Sequence, residues 1–215
     1  MRNTPQMSIG DVQRRIDQLV YPPTHTYDLA TMTPSGVLAN RAAIIAKYAP
    51  KFFSGDKFLD IGASKGFFTF SNVDNFNRIV CVDPNEDCTQ LCRDIRKVLK
   101  YKNVRVIQGG IDAVPSEQKF DRIFMGNVHH YVFIQHQGWD WIEKLYELST
   151  DQILIEGPQG MECKDMMKCI PEDLRSEFNM HKMLKAMENK FSLEWSVPTV
   201  AYTPKRHFML FKRLP

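Results

Sequence analysis

The sequence predicts an α/β protein built on a doubly wound, mostly parallel seven-stranded sheet, with N-terminal helices and an antiparallel hairpin at one sheet edge. Three observations predict it. Short apolar segments alternate with helical ones from residue 57 onward, five such segments recur, and two further strand patterns close the chain.

Each element has its own signal. Ser8 with Asp11 forms a capping box ahead of Ile9, Val12, Ile16, Leu19 and Val20, which keep helical spacing. Residues 21–34 carry three prolines and two tyrosines without periodicity, so they read as a loop or lid. A second helix runs from about Ser35 to Tyr48 and stops near Pro50. The strands follow at 57–62, 78–83, 104–109, 120–126 and 152–157. Between them the clearest helix is 85–100, where Cys88, Leu91, Cys92, Ile95, Val98 and Leu99 share a face. Phe67, Phe68 and Phe70 read as core residues of the helix after the first strand, and Trp139 and Trp141 as packing. A long helical stretch is expected at roughly 164–190, before strands at 191–200 and 206–213. Residues 1–50 are expected to form a helical extension and lid, and residues 51–215 a single compact domain.

Composition narrows the class. With 215 residues, 43% hydrophobic and 25% charged, the chain can bury a core of its own. Lys and Arg number 28 against 25 Asp and Glu, and the resulting +3 permits a nucleic-acid partner without calling for one. No apolar run reaches the ~20 residues of a membrane helix, and the N-terminus has no signal-peptide pattern, so a soluble, cytoplasmic protein is expected. The five cysteines form no C-x-x-C pair and read as reduced thiols; no metal site is expected.

Ligands of open α/β sheets bind at the carboxyl ends of the strands, so the residues there carry the functional reading. The first strand ends in Asp60-Ile61-Gly62-Ala63-Ser64-Lys65-Gly66 and the second in Asp83-Pro84. The third ends in Gly109-Gly110-Ile111-Asp112, the fourth in Asn127-Val128-His129-His130-Tyr131, and the fifth in Glu156-Gly157-Pro158. Asp83 lies 21 residues after Gly62, the spacing at which an acidic side chain meets a ribose hydroxyl pair. Asp60 in the first loop disfavours a pyrophosphate and suits an ammonium group. A ribose and an ammonium together describe S-adenosylmethionine.

These motifs resemble class I S-adenosylmethionine-dependent methyltransferases, a Rossmann-like fold, over residues 57–158. The resemblance implies that Asp60, Gly62, Ala63, Ser64, Lys65 and Gly66 line the methionine portion. It implies that Asp83 and Pro84 meet the ribose, that Ile111 and Asp112 flank adenine, and that Asn127 sits beside the methyl group. Cap 2′-O-methyltransferases need an aspartate where this chain has Asn127, so that activity is not expected. A second, narrower resemblance is to RNA cap guanine-N7 methyltransferases, through His130-Tyr131-Val132-Phe133 and the lysine of Ser64-Lys65-Gly66. It implies that His130 and Tyr131 hold the guanine, so His129, His130 and Tyr131 are the catalytic candidates and Tyr131 and Phe133 the substrate-binding ones; Glu156 and Tyr202 join them as candidates for the guanine's edge and face only by lying after the fifth strand and before the last. The preferred acceptor is accordingly an RNA cap or guanine nucleotide. A small-molecule nitrogen or oxygen acceptor served by a histidine after the fourth strand is the alternative, and a non-catalytic binding protein a third reading.

Overall fold

The computed structural model describes residues 7–19, 25–158, 167–199 and 206–215. Its main sheet has seven strands: β3 (Gly55–Ile61), β4 (Phe76–Asp83), β5 (Val104–Gln108), β6 (Phe120–Gly126), β7 (Ser149–Pro158), β8 (Phe191–Thr199) and β9 (Arg206–Arg213). Their order is β5-β4-β3-β6-β7-β9-β8. The first five run parallel, β9 is antiparallel to β7, and β8 is antiparallel to β9. The expected sheet and edge hairpin are both present.

Side chains alternate across each strand and both faces are covered, which is why the strands read as near-continuous apolar runs. Phe58, Ile79, Cys81 and Phe124 face one layer, shared with α1 (Ile9–Gln18), α2 (Gly36–Tyr48) and α4 (Glu86–Val98). Leu59, Val80, Ile123 and Ile153 face the other, shared with α6 (Trp141–Leu148) and α7 (Met180–Met187). Alternation puts Asp60 on the same face as Phe58, toward the N-terminal helices. The short α3 (Phe67–Phe70) buries all of its side chains, and α5 (His129–His136) follows β6. The crossover from β5 to β6 passes the β3/β6 boundary, the switch point where a crevice opens.

The N-terminal segment is tied to this sheet. α1 carries the predicted capping box and packs Val12 and Ile16 against α4. Within the predicted loop, residues 25–34 are more ordered than expected: β1 (Tyr27–Asp28) and β2 (Thr33–Pro34) pair antiparallel. Asp28 closes the turn by accepting from the Thr31 N–H and hydroxyl, both at 2.8 Å. Tyr27 is buried and donates its hydroxyl to the Lys65 carbonyl at 2.7 Å.

The expected helix at 164–190 is not continuous. A 3-10 turn occupies Glu172–Leu174, and α7 begins only after Asn179, whose side chain accepts from the Lys182 N–H. Pro171 pushes the residue before it out of helical geometry, and Asn179 caps a new helix, so one periodic stretch becomes two pieces. Residues 164–166 and 21–24, with Val20, Cys163 and Tyr202, lie outside the described residues. Among the described residues no helix is long and apolar enough to cross a membrane.

Candidate functional site

The loop after β3 is built by backbone contacts that side chains could not survive. Gly62 donates its N–H to the Val82 carbonyl at 2.8 Å and has φ of 73°. A Cβ there would sit 2.4 Å from Val128 Cγ1, because the loops after β3 and β6 touch at the switch point. Ser64 also takes a left-handed conformation, φ 54°, which turns its N–H onto the Asp83 carboxylate at 2.8 Å. The other Asp83 oxygen accepts the Asn85 N–H at 2.9 Å. Burial raises the Asp83 carboxyl above its ordinary range, against these two hydrogen bonds.

Asp60 is 2% exposed and accepts the Thr69 hydroxyl at 2.7 Å. Burial, with the nearby Asp83 charge adding to it, pushes its carboxyl up to about 7 despite the Thr69 bond. A buried carboxylate that finds ionisation this costly is a ready partner for a cation. It lines a recess with Gly62, Phe68, Gly126 and, from the N-terminal segment, His25 and Arg41.

After β5, Ile111 is fully buried while Asp112 is half exposed, 3.3 Å from Gln135 Nε2 and 3.1 Å from His136 Nε2. Pro84 is exposed beside Asp83. After β6, Asn127 has φ of 58° and donates its N–H to the Glu156 carbonyl at 2.8 Å. Its buried Oδ1 has no hydrogen-bond partner among the described residues. His129 is buried, stacked on Phe178 at 5.5 Å, and burial holds it well below its usual value. His130 is 4% exposed, and burial followed by the Arg206 charge lowers it to about 4, so it is a neutral imidazole near pH 7. The Tyr131 ring lies 4.0 Å from His130 and is half exposed.

This strand-end geometry coincides with a sequence match: residues 52–193 fit the family model described as a methyltransferase domain. The chain belongs to this family. It is a class I, S-adenosylmethionine-dependent methyltransferase. Solved structures share its fold. The N-methyltransferase NodS from Bradyrhizobium japonicum WM9, in complex with S-adenosyl-l-homocysteine, is 10% identical with a TM-score of 0.66, covering 96% of this chain and 98% of that one. Magnesium protoporphyrin IX methyltransferase (ChlM) from Synechocystis PCC 6803, with bound SAM, is 14% identical with a TM-score of 0.59, covering 83% and 79%. Trm5b from Pyrococcus abyssi is 18% identical with a TM-score of 0.55, covering 88% and 52%. No curated protein matches the chain.

The methyltransferase corrects three of the residue roles expected above. Phe133 is fully buried and packs against Trp139 at 4.6 Å and Phe178 at 4.9 Å, so it faces the interior and not an acceptor. Helical periodicity decides this: Tyr131 and Phe133, two apart, lie on different faces of α5. Glu156 is fully buried, with Oε2 2.6 Å from Arg41 Nη2 and Oε1 3.4 Å from the Thr199 hydroxyl. It serves the fold's interior and presents no edge to a guanine. Lys65 is 1% exposed and donates its ammonium to the Ile16 carbonyl at 2.8 Å, at the end of α1 where carbonyls lack helical partners. Its ammonium is committed to α1, while the residue still lines the recess beside Asp60.

Sequence reasoning missed His25 and Arg41. Nε2 of His25 lies 2.8 Å from Arg41 Nη1, which continues the chain of contacts from Glu156 into the recess. A guanidinium only donates, so Nε2 accepts and the ring hydrogen is on Nδ1. Burial and the neighbouring Arg41 charge lower His25 to about 3. Arg41 stands between Asn40 and Ala42 in an otherwise ordinary helix, and nothing local marks it as buried.

Proposed function

We propose that this methyltransferase moves a methyl group to a nitrogen or oxygen nucleophile of a small-molecule acceptor held against Asn127, His130 and Tyr131. One observation carries the reading. Asn127 Oδ1 and His130 Nδ1, both buried at the carboxyl end of β6, have no hydrogen-bond partner among the described residues. Buried polar atoms are ordinarily satisfied, so two unsatisfied ones at a strand end support a compact polar ligand there.

S-adenosylmethionine supplies, when bound, a methyl group on a sulfonium for direct displacement. The residues present fit it: Asp60 is a buried carboxylate for the ammonium, Asp83 keeps lone pairs for the ribose, and Gly62 leaves the loop free of a Cβ. Ile111 and Asp112 would flank adenine. Neutral His130 can accept the hydrogen of an acceptor N–H or O–H, and Tyr131 offers a ring face to it. In this reading residues 51–215 form the catalytic unit and residues 1–50 an extension closing over it.

The guanine-N7 reading keeps support from one feature, the half-exposed Tyr131 beside His130, which suits base stacking. Its other residues are Phe133, Glu156 and Lys65, which packing, an ion pair and α1 occupy, and Tyr202, outside the described residues. A radiolabelled methyl-transfer screen over small-molecule pools, tRNA, uncapped RNA and capped RNA tests the proposal. Label entering a small-molecule pool is expected. Label entering capped RNA alone would replace the small-molecule reading by the cap reading.

A further inference from the structure

We propose that the corner of the sheet where α4 ends and β5 begins is a docking surface for the phosphate backbone of a nucleic acid. Residues 93–105 hold six basic side chains, Arg93, Arg96, Lys97, Lys100, Lys102 and Arg105, against one acidic, Asp94. The rest of the chain holds 22 basic against 24 acidic residues, so the positive balance of the protein comes from this run. A field localised in this way steers a polyanion to one place on the surface.

Arg96, Lys97, Lys100, Lys102 and Arg105 are exposed, and among the described residues none of the six forms an ion pair with a carboxylate. Asp94 is buried and taken by Arg15 and Gln90. Asp74, whose charge is felt at Tyr101 in the same run, pairs with none of them. The dipole of α4 favours cations in its last turn, which accounts for Arg96 and Lys97. It does not account for Arg105 on β5 or Arg78 on β4, both exposed. Arg105 is in register with Val80, and alternation puts Arg78, two residues before Val80, on the same sheet face. Arg78 donates to the Gln118 side chain at 3.2 Å and Arg96 to the Tyr101 carbonyl at 3.3 Å, neutral partners that leave both charges in place. Because α4 packs on the opposite face, the cations flank β5, the outermost strand, from both sides.

A sheet edge with cations on both flanks suits a flexible chain of phosphates, which bends around it, better than a flat anionic bilayer. Interfacial membrane binding also inserts apolar side chains, and the large exposed ones, Met7, Ile9, Tyr48, Tyr131 and Leu193, all lie outside the run. α4 starts three residues after Asp83 and rises about 20 Å over its 13 residues, so the surface is well removed from the cofactor crevice. It holds the enzyme to a polyanion independently of which acceptor is methylated.

Fluorescence anisotropy of the full chain with a labelled RNA of about 20 nucleotides, alone and annealed to its complement, tests the proposal. Wild type is expected to bind at least one form at micromolar concentration, with an affinity that falls steeply as salt rises. Lys97→Gln/Lys102→Gln/Arg105→Gln is expected to weaken binding roughly 10-fold or more. It should also lower the slope of log affinity against log salt by about 2–3, since each phosphate contact contributes about 0.7–0.9. The control Lys182→Gln/Lys185→Gln/Lys212→Gln removes the same charge toward the opposite sheet edge and should leave both quantities nearly unchanged. Thermal melting checks folding; if Arg105→Gln disturbs β5, Lys97→Gln/Lys102→Gln replaces the triple, with a slope lower by about 1–2. No RNA binding, or an equal loss in the patch and control variants, overturns the proposal and leaves the cations as guards of an exposed strand edge. Co-sedimentation with phosphatidylserine vesicles, lost in the patch variant while RNA is not bound, gives the surface to a membrane and overturns it as well.

Discussion

The Lys65 ammonium and the Ile16 carbonyl meet at 2.8 Å, joining the loop after β3 to the end of α1 across the N-terminal interface. Lys65→Met removes the donor and leaves a carbonyl without it. Stability is expected to fall by about 1–3 kcal/mol in urea denaturation. Affinity for S-adenosylhomocysteine should change far less. A large affinity loss with unchanged stability would return Lys65 to the cofactor.

Asp60 sets a pH dependence whose direction follows from its raised carboxyl. The unfolded chain ionises this group near the ordinary value of 3.8, the folded chain near about 7. The folded state therefore holds the extra proton between those values, so the Asp60 contribution to stability is full below about pH 4 and declines as pH rises toward 7. A cationic ligand group favours the carboxylate, so binding S-adenosylhomocysteine at pH 6 should release a proton and strengthen up to about pH 7. Calorimetry in buffers of different ionisation enthalpy reads the proton directly. Asp60→Asn should abolish the release; an unchanged release in that variant would move the titration elsewhere.

Asp83 is expected to serve both loop and ligand. Its carboxylate accepts the Ser64 and Asn85 N–H groups at 2.8 and 2.9 Å. Asp83→Ala should weaken S-adenosylhomocysteine by roughly 10-fold or more, since each bond to a charged group is worth about 1.5–3 kcal/mol. Adenosine, which carries the same ribose hydroxyls, should weaken in parallel. Loss of stability with both affinities intact would confine Asp83 to the loop.

Tyr131 and Phe133 should separate cleanly. Phe133→Ala opens a cavity in the cluster with Trp139 and Phe178 and is expected to cost about 3–5 kcal/mol in denaturation. Tyr131→Ala should leave stability nearly unchanged and raise the KM for the acceptor. The reverse pattern would place Phe133 at the acceptor after all.

His130 should impose no pH dependence near neutrality. With the imidazole lowered to about 4, the rate on a proton-bearing acceptor should stay level as pH falls from 8 to about 5 and drop only toward 4. His130→Gln should remove that acidic limb. A limb near pH 6.5 in wild type, lost in His130→Gln, would mean that the acceptor site opens His130 to water.

Much of the fold was legible because its signals are local. Strand runs such as Phe58-Leu59-Asp60-Ile61, the Ser8 capping box and the glycine in a left-handed turn at 62 each depend on a few neighbouring residues. Their order along the chain then limits the topology to a few arrangements, and the closing hairpin follows from two strands without a helix between them. The helical stretch expected before that hairpin is broken in the structure because apolar periodicity persists across Pro171 and Asn179, where the backbone geometry does not.

The site divides the same way. Strand periodicity alone puts Asp60, Gly62, Asp83 and Asn127 at or just after strand ends, whatever the packing. Where the longer side chains go depends on what packs over them. Lys65 reaches Ile16, Glu156 reaches Arg41, and Arg41 reaches His25, each partner far away in sequence. A strand-end position follows from short-range periodicity, whereas a buried charge takes its partner from whichever element the fold packs over it, because leaving it unpaired costs several kcal/mol per ion.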